Sequence, residues 1–279
     1  MRHRFHQLDV FTATALLGNP LAVVHAAHTL DDTRMAAFAR WTNLSETTFL
    51  LPPTQPQADY RVRIFTPGGE LPFAGHPTLG TCRAWLAGGG RPQAPGIVVQ
   101  ECGVGLVPVR VEASSQRLAF AAPACTREAV EPGLLARVTA ALGLPASLVR
   151  RASWLDNGPR WLALELPDAQ AVLALRPDHG ALKTLAKVGV VGAHAAGGPA
   201  QFEVRAFAAP LGVEEDPVTG SLNAGLAQWL MEDGRAPQAY VAAQGTAMGR
   251  AGRVHIARDA QGTWVGGDVV ICVDGSVEL

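Results

Sequence analysis

Lysine is nearly absent from this chain. Among 23 basic residues only Lys183 and Lys187 are lysines, so a mechanism that forms a Schiff base with a lysine amine has two candidates at most. The four cysteines are scattered singly along 279 residues. A disulfide framework or a thiolate metal site needs closely spaced cysteines, and the sequence predicts neither.

Charge imbalance and long apolar runs are also missing. The 23 basic residues face 24 acidic ones, which gives no reason to expect a nucleic-acid or membrane-surface partner. No apolar run approaches the roughly 20 residues that a membrane helix needs, and MRHRFHQLDV has no signal-peptide core. We therefore expect a cytoplasmic protein of enzyme size, with one large domain or two medium ones.

One pattern of residues occurs twice. ELPFAGHPTLG begins at Glu70 and EDPVTGSLNAG begins at Glu215. Four residues recur at a constant offset of 145 positions, namely Glu70/Glu215, Pro72/Pro217, Gly75/Gly220 and Gly80/Gly225. A strand-like segment precedes each copy, VRIFTP in the first and VRAFAAP in the second. The repeat predicts two related lobes.

Each copy is expected to place the start of a helix at its first glycine. The first turn of a helix carries unpaired N–H groups and a partial positive charge, which together favour an anion such as a carboxylate. Gly75 and Gly220 are therefore predicted to bind substrate. Gly80 and Gly225 lie inside the helices, where glycine permits close packing against a strand.

The remaining pattern predicts the lobe boundary and further helices. Apolar spacing predicts helices over 29–41, 131–142 and 178–188, the last of which contains both lysines. The repeat divides the chain near residues 113–130, into lobes of 1–114 and 115–279. The last strand, near 265–279, could instead return to the first lobe.

Several ordered motifs resemble one enzyme family. DVFTATALLGNPLAVV, NLSETTFL, FTPGGELPFAGHPTLG, QECGVGLVPV, EEDPVTGSLNAG and AQGTAMGR look like the PhzF-like family of phenazine-biosynthesis isomerases. The resemblance covers nearly the whole chain. It implies an α/β (α+β) diaminopimelate-epimerase-like fold, with two pseudo-symmetric lobes that each wrap a curled, mostly antiparallel sheet around a central helix. It also implies an active site between the lobes, a homodimer, and no metal or organic cofactor.

Racemases on this fold use two cysteines, one before each helix-start glycine. Here those positions correspond to Ala74 and Thr219. Neither side chain can abstract a proton, so two-thiol racemisation is disfavoured on chemical grounds.

Glu46 is the leading acid–base candidate. It lies in a short, otherwise uncharged segment between apolar residues, where partial burial would raise the pKa of its carboxyl. On the residues alone, the favoured interpretation is a solvated loop glutamate or a capping residue near Ser45. The resemblance implies that Glu46 removes a proton from one substrate carbon and returns it to another.

His76 and Asp216 are the predicted supporting pair. A helix N-terminus favours the neutral imidazole of His76, which could then donate to a substrate carboxylate. A turn histidine and a helix-capping aspartate are the alternative interpretations. Ser221 is predicted to bind a carboxylate, and Ser45 and Asn19 are further substrate-binding candidates, although Asn19 would equally shape its turn.

These observations predict an isomerase that shifts a proton within a small anionic, carboxylate-bearing metabolite without a cofactor. The resemblance implies a dihydro-hydroxyanthranilate-type substrate for the phenazine member of the family. One alternative is a racemase or epimerase of an amino or hydroxy acid, using Glu46 and Asp216 in place of thiols. Another is a catalytically silent metabolite-binding or interaction protein on the same scaffold.

Overall fold

The computed structural model describes residues 1–279, which form 18 strands and six α-helices. The strands in chain order are β1 (Arg2–Val10), β2 (Asn19–Val24), β3 (Thr47–Leu51), β4 (Tyr60–Thr66), β5 (Gly69–Leu71), β6 (Ile97–Cys102), β7 (Gly105–Val111), β8 (Leu118–Ala121), β9 (Thr126–Glu128), β10 (Arg151–Asp156), β11 (Arg160–Glu165), β12 (Val188–Ala193), β13 (Phe202–Ala208), β14 (Val213–Asp216), β15 (Ala239–Gln244), β16 (Gly252–Asp259), β17 (Gly262–Gly267) and β18 (Val269–Glu278). The helices are α1 (Asp32–Thr42), α2 (Gly75–Ala87), α3 (Pro132–Ala141), α4 (Ala169–Leu173), α5 (His179–Leu182) and α6 (Gly220–Glu232). None of these helices is long and apolar enough to cross a membrane.

The chain divides into two compact units. The first unit comprises Met1–Ala121 together with Gly266–Leu279, and the second comprises Ala122–Val265. The last strand, β18, pairs antiparallel with β1, with Arg2 opposite Glu278. Residues from both ends of the chain therefore form one sheet in the first unit.

The sheet of the first unit is ordered β18-β1-β2-β3-β4-β6-β7-β8. The β2–β3 and β4–β6 pairs are parallel, and the other neighbours are antiparallel. The short strand β5 adds to the end of β4. A mostly antiparallel sheet of this kind needs few long crossovers, because hairpins can join its neighbours.

The second unit repeats this pairing scheme nine strands later. Its sheet is ordered β9-β10-β11-β12-β13-β15-β16, with parallel pairs at β11–β12 and β13–β15 and antiparallel pairs elsewhere. The short strand β14 adds to β13, as β5 does to β4. The repeated motif in the sequence therefore corresponds to a repeated strand order.

The central helix of each unit begins at the repeated glycine and has 13 residues. Helix α2 buries most of its length against strands from both ends of the first sheet, including β1, β2, β8 and β18. A Cβ atom on Gly80 would lie 2.4 Å from Leu21 Cδ2 and 3.0 Å from Val10 Cγ2, so an alanine there would displace neighbouring side chains. In α6, a Cβ on Gly225 would lie 3.3 Å from Leu155 Cβ. These distances support the packing role expected for these two glycines.

Shorter helices cover other parts of each sheet. In the first unit α1 buries Met35 and Phe38 against Phe49 and Phe65, and the Phe49 and Phe65 rings meet edge to face at 5.6 Å. In the second unit α3, α4 and α5 bury leucine and valine side chains against β11 and β12. Each such large apolar side chain stabilises the fold by about 1.5–3 kcal/mol when fully buried.

The helix predicted over 178–188 is wrong in most of its length. Only His179–Leu182 is helical, and Val188 already begins β12, which pairs in parallel with β11. Leu182, Leu185 and Ala186 have helical spacing, but they reach the core from one helical turn and the turn that follows it. Lys187 therefore lies directly before a strand, with its Nζ 5.1 Å from the centre of the Trp161 ring.

Candidate active site

The connection between α1 and β3 positions Glu46. Helix α1 is capped at its start by the Asp31 carboxylate, which accepts from the Arg34 N–H at 2.8 Å. It ends at Asn43, whose left-handed backbone (φ 54°) turns the chain out of the helix. The hydroxyls of Thr42 and Thr47 hydrogen-bond at 2.9 Å across the connection. The short segment that carries Ser45 and Glu46 is thereby held at both ends.

Buried threonines tie this segment to α2. The Thr81 hydroxyl, on α2, donates to the Thr48 hydroxyl at 2.8 Å, and both side chains are fully buried. Thr48 lies two residues after Glu46, and Thr81 lies five residues after His76. This contact fixes β3 against the helix and so relates the positions of Glu46 and His76.

Glu46 and His76 lie side by side in the first unit. His76 Nδ1 is 3.5 Å from Glu46 Oε2, and the two side chains retain only 6% and 16% exposure. Burial raises the pKa of Glu46 from its ordinary 4.5 to about 7, and the nearby Ser45 side chain opposes this shift. Glu46 Oε2 is shielded from solvent and makes no hydrogen bond within the protein. Such buried oxygens are rare, because an unsatisfied polar atom destabilises the fold.

The two central helices begin without a side-chain cap. Ala74 precedes α2 and Thr219 precedes α6, and neither side chain accepts from the first-turn N–H groups. Most helices cap these donors with a serine, threonine, aspartate or asparagine oxygen. The first turns after Gly75 and Gly220 can therefore offer backbone donors to an anion.

Asp216 lies at the end of β14, close to the start of α6. Its Oδ2 accepts from the Thr219 hydroxyl at 2.6 Å. Gln244, fully buried at the end of β15, donates through Nε2 to the Asp216 carbonyl oxygen at 3.0 Å and to Thr219 Oγ1 at 2.9 Å. Asp216 is therefore part of a hydrogen-bonded turn.

Ser221 is the second residue of α6, and its hydroxyl oxygen has a defined donor. The indole N–H of the buried Trp161 donates to Ser221 Oγ at 3.1 Å. The Asn157 amide donates to the Ser221 carbonyl oxygen at 2.8 Å. Because Trp161 occupies one acceptor position of Oγ, the Ser221 hydroxyl proton is left to be donated elsewhere.

The repeated glutamates form a repeated ion pair. Glu70 accepts from Arg63 Nε and Nη2 at 2.7 and 2.6 Å, and Glu215 accepts from Arg205 Nε and Nη2 at 2.9 and 2.8 Å. Each guanidinium also lies about 5 Å from the phenylalanine ring two residues later. The recurrence of Arg-x-Phe before each motif was visible in the sequence, but its pairing with the glutamate was not predicted. Glu70 and Glu215 hold each motif to its strand.

The other predicted residues are placed as follows. Asn19 begins β2 opposite Val10 of β1 and is buried, and Ser45 precedes Glu46. The first unit thus brings Glu46, His76 and Ser45 into one neighbourhood, and the second unit carries Asp216, Gly220 and Ser221. Trp161, Thr219 and Gln244 contact these residues but were not among the predicted site residues. The histidine, cysteine, aspartate and glutamate side chains form no group of three arranged as metal ligands.

Comparison with known proteins agrees with this architecture. The family described as phenazine biosynthesis-like protein (PhzC-PhzF) matches residues 8–275. The chain is 36% identical over 267 residues to trans-2,3-dihydro-3-hydroxyanthranilate isomerase of Pseudomonas aeruginosa, covering 93% of this chain and 92% of that protein. It is 35% identical over 290 residues to antisense-enhancing sequence 1 of Schizosaccharomyces pombe, covering 98% of each.

Solved structures show the same fold. A Bacillus anthracis phenazine biosynthesis protein of the PhzF family superposes with a TM-score of 0.86 at 20% identity, over 100% of both chains. A hydroxyproline epimerase from Agrobacterium vitis superposes with a TM-score of 0.62 at 12% identity, over 99% of this chain and 92% of that one. The predicted α/β, diaminopimelate-epimerase-like fold class is confirmed. The strand repeat, the family match and the relatives together place the chain in the phenazine biosynthesis-like (PhzC-PhzF) family, as an isomerase.

Proposed function

We propose that this isomerase moves a proton between two carbons of a small carboxylate-bearing metabolite, with Glu46 as the proton carrier. The observation that carries the proposal is the position of the Glu46 carboxyl, which is buried 3.5 Å from His76 Nδ1 with Oε2 making no hydrogen bond within the protein. This burial raises the pKa of the carboxyl to about 7. A group with a pKa close to the working pH can both accept and return a proton, which the reaction requires.

The proposed chemistry has two steps on one carboxyl. Ionised Glu46 removes a carbon-bound proton, and the electron pair of that C–H bond moves into the conjugated system of the substrate. The protonated Glu46 then donates the same proton to a different carbon, so a double bond changes position and the net composition is unchanged. No electron acceptor and no cofactor enters this balance.

His76 is proposed to stabilise the negative charge that passes between the Glu46 carboxyl and the substrate as the proton moves. Its Nδ1 lies 3.5 Å from Glu46 Oε2, a distance that a small shift would convert to a hydrogen bond. Catalytic hydrogen bonds are often long in the free enzyme and shorten when substrate is bound. A neutral His76 would donate to the carboxyl or to the substrate as charge develops.

The proposed substrate is a small cyclic carboxylate. In the unit that carries Glu46, the uncapped first turn after Gly75 offers backbone donors to a carboxylate. In the second unit, taken by itself, the first turn after Gly220 and the Ser221 hydroxyl, whose proton is not used by Trp161, offer donors of the same kind. Asp216 is proposed as a second acid–base or orienting group. The relative from Pseudomonas aeruginosa is named for trans-2,3-dihydro-3-hydroxyanthranilate, which has these properties and is the first compound to test.

A glutamine substitution tests the proton carrier. Glu46→Gln keeps the size of the side chain but cannot accept and return a proton, so turnover should fall by about 10²–10⁴-fold. Glu46→Asp should also be impaired, because the carboxyl withdraws by about one C–C bond and catalysis is sensitive to misplacement of about 1 Å. Glu112→Gln removes an exposed carboxylate of the same unit and should leave turnover unchanged. Wild-type turnover by Glu46→Gln would contradict the proposal.

Epimerisation is the second candidate, because the fold also carries a hydroxyproline epimerase and the chain offers two carboxyl groups, Glu46 and Asp216. An epimerase would invert one stereocentre and leave every double bond in place. Chiral chromatography of products from a panel of amino and hydroxy acids distinguishes the two reactions. A stereochemically inverted product without a shifted double bond would favour epimerisation.

A further inference from the structure

Thr219 occupies a capping position without acting as a cap. It directly precedes α6, where a threonine oxygen normally accepts from an N–H of the first turn. Its side chain makes no such bond. The hydroxyl instead donates to Asp216 Oδ2 at 2.6 Å, a length typical of a hydrogen bond to a charged acceptor.

Gln244 determines the direction in which the Thr219 hydroxyl points. The Gln244 oxygen accepts from the Thr219 N–H at 3.0 Å and from the Asn223 amide at 2.8 Å. These are obligatory donors, so the opposite end of the Gln244 amide is the NH₂ group. That group donates to Thr219 Oγ1 at 2.9 Å. With one acceptor position of Oγ1 occupied by a donor, the hydroxyl proton is directed to Asp216.

The first unit provides an internal control for this arrangement. Gln100 lies in β6 as Gln244 lies in β15, and its amide donates to Thr78, the position 145 residues before Asn223. At the positions matching Thr219 and Asp216, however, the first unit has Ala74 and Leu71. Its central helix starts equally well with neither a hydroxyl nor a carboxylate there. The buried glutamine therefore serves the fold in both units, whereas the Thr219–Asp216 contact is not required by it.

We infer that Thr219 is a positioning residue that, oriented by Gln244, holds the Asp216 carboxylate in one rotamer as a hydrogen-bond acceptor. The expected effect on turnover rests on the proposed function. The orientation of the Asp216 carboxylate does not, because it is a property of the protein without substrate. A fixed carboxylate does not have to be ordered when substrate is bound, and this preorganisation favours the reaction.

The test uses a pair of variants at one position. Thr219→Val keeps the shape of the side chain and removes the hydroxyl, whereas Thr219→Ser retains the hydroxyl and removes a methyl group. Crystal structures of both variants report the Asp216 rotamer directly. We expect Asp216 to leave its position or become disordered in Thr219→Val and to keep it in Thr219→Ser. An unmoved, well-ordered Asp216 in Thr219→Val would overturn the inference.

Turnover of trans-2,3-dihydro-3-hydroxyanthranilate gives the second readout. Losing a hydrogen bond to a charged group should lower kcat by about 10- to 100-fold in Thr219→Val, with KM changed less, and Thr219→Ser should recover most of it. In an Asp216→Ala background the Thr219→Val change should cost less than about twofold. An equal loss of kcat with and without the Asp216 carboxylate would also overturn the inference.

The two proposals fail in different ways. If Asp216→Ala alone has wild-type turnover, the catalytic role proposed for Asp216 is wrong, and the Asp216 rotamer in the two crystal structures still decides whether Thr219 positions it. If Asp216→Ala is impaired but Thr219→Val is as active as the wild type, the positioning role is wrong and the proposed function stands.

Discussion

The Glu46→Gln variant should be more stable than the wild-type protein at alkaline pH, although it is less active. The reason is the burial of the Glu46 carboxyl, which raises its pKa from 4.5 to about 7. Ionising this group in the folded protein is unfavourable, and a glutamine amide never ionises. Functional residues often destabilise a fold in this way.

The sign and size of the effect follow from proton linkage. Between pH 4.5 and 7 the folded protein binds more protons at Glu46 than the unfolded chain does, so the free energy of unfolding decreases as pH rises. Each pKa unit is worth about 1.36 kcal/mol. The rise in the pKa of Glu46 from 4.5 to about 7 therefore corresponds to about 3 kcal/mol of stability, which is fully present below about pH 4.5 and is lost in full above about pH 7.5.

Urea unfolding of both proteins at a series of pH values measures this effect. The relevant quantity is the stability of Glu46→Gln minus that of the wild type, which should increase by about 3 kcal/mol between pH 4.5 and pH 8. Titrating groups that do not contact Glu46 cancel in the difference. They include His25, whose pKa burial lowers to about 4 and which stabilises the fold as pH rises.

A constant offset between the two proteins across this pH range would refute the reasoning. Such an offset would mean that Glu46 has an ordinary pKa, and hence that it is solvated rather than buried beside His76. The Glu112→Gln variant, exposed in the same unit, is the control and should show little change with pH.

Further predictions concern side chains around the two motifs. Trp161→Phe removes the N–H that donates to Ser221 Oγ and should raise KM for a carboxylate substrate several-fold, with kcat changed less. An unchanged KM in this variant would argue against a binding role for Ser221. Arg205→Met leaves the buried Glu215 carboxylate unpaired and should lower the free energy of unfolding by about 3–5 kcal/mol. Arg63→Met, in the more exposed pair, should lower it by only about 0–1 kcal/mol. Equal losses of both variants in urea unfolding would contradict this contrast. Gly80→Ala should lower the free energy of unfolding by about 1–3 kcal/mol, because the new Cβ would overlap a methyl group of Leu21. A variant that unfolds at the same temperature as the wild-type protein would contradict this prediction.

The repeat in the sequence was the most informative feature for the fold. The glycines at 75 and 220 were predicted as the helix starts, and both helices begin there. The α/β class came from the family resemblance rather than from the repeat. The path of the last strand was left open, because its pairing with β1 depends on a register between residues almost a chain length apart.

The candidate site was only partly visible in the sequence. Glu46 and His76 are 30 positions apart, and no local pattern brings them together; their contact depends on the Thr48–Thr81 hydrogen bond and on the packing of α2. Likewise, Gln244 reaches Thr219 through a parallel strand pair that returns to the helix start. Local periodicity reports which residues share a face, but it carries no information on such long-range hydrogen bonds. The homodimer implied by the family resemblance stays a prediction.

The most direct measurement of the central claim is isomerisation in D₂O. Trans-2,3-dihydro-3-hydroxyanthranilate is incubated with the wild-type protein and with Glu46→Gln, and ¹H NMR follows both the shifted double bond and the deuterium on carbon. If Glu46 carries the same proton from one carbon to the other, the wild-type protein forms an isomer that keeps protium on the carbon that receives the proton, and Glu46→Gln forms this isomer at least about 100-fold more slowly. Formation of the isomer by Glu46→Gln at the wild-type rate, or complete deuteration of the receiving carbon by the wild-type protein, would contradict the account.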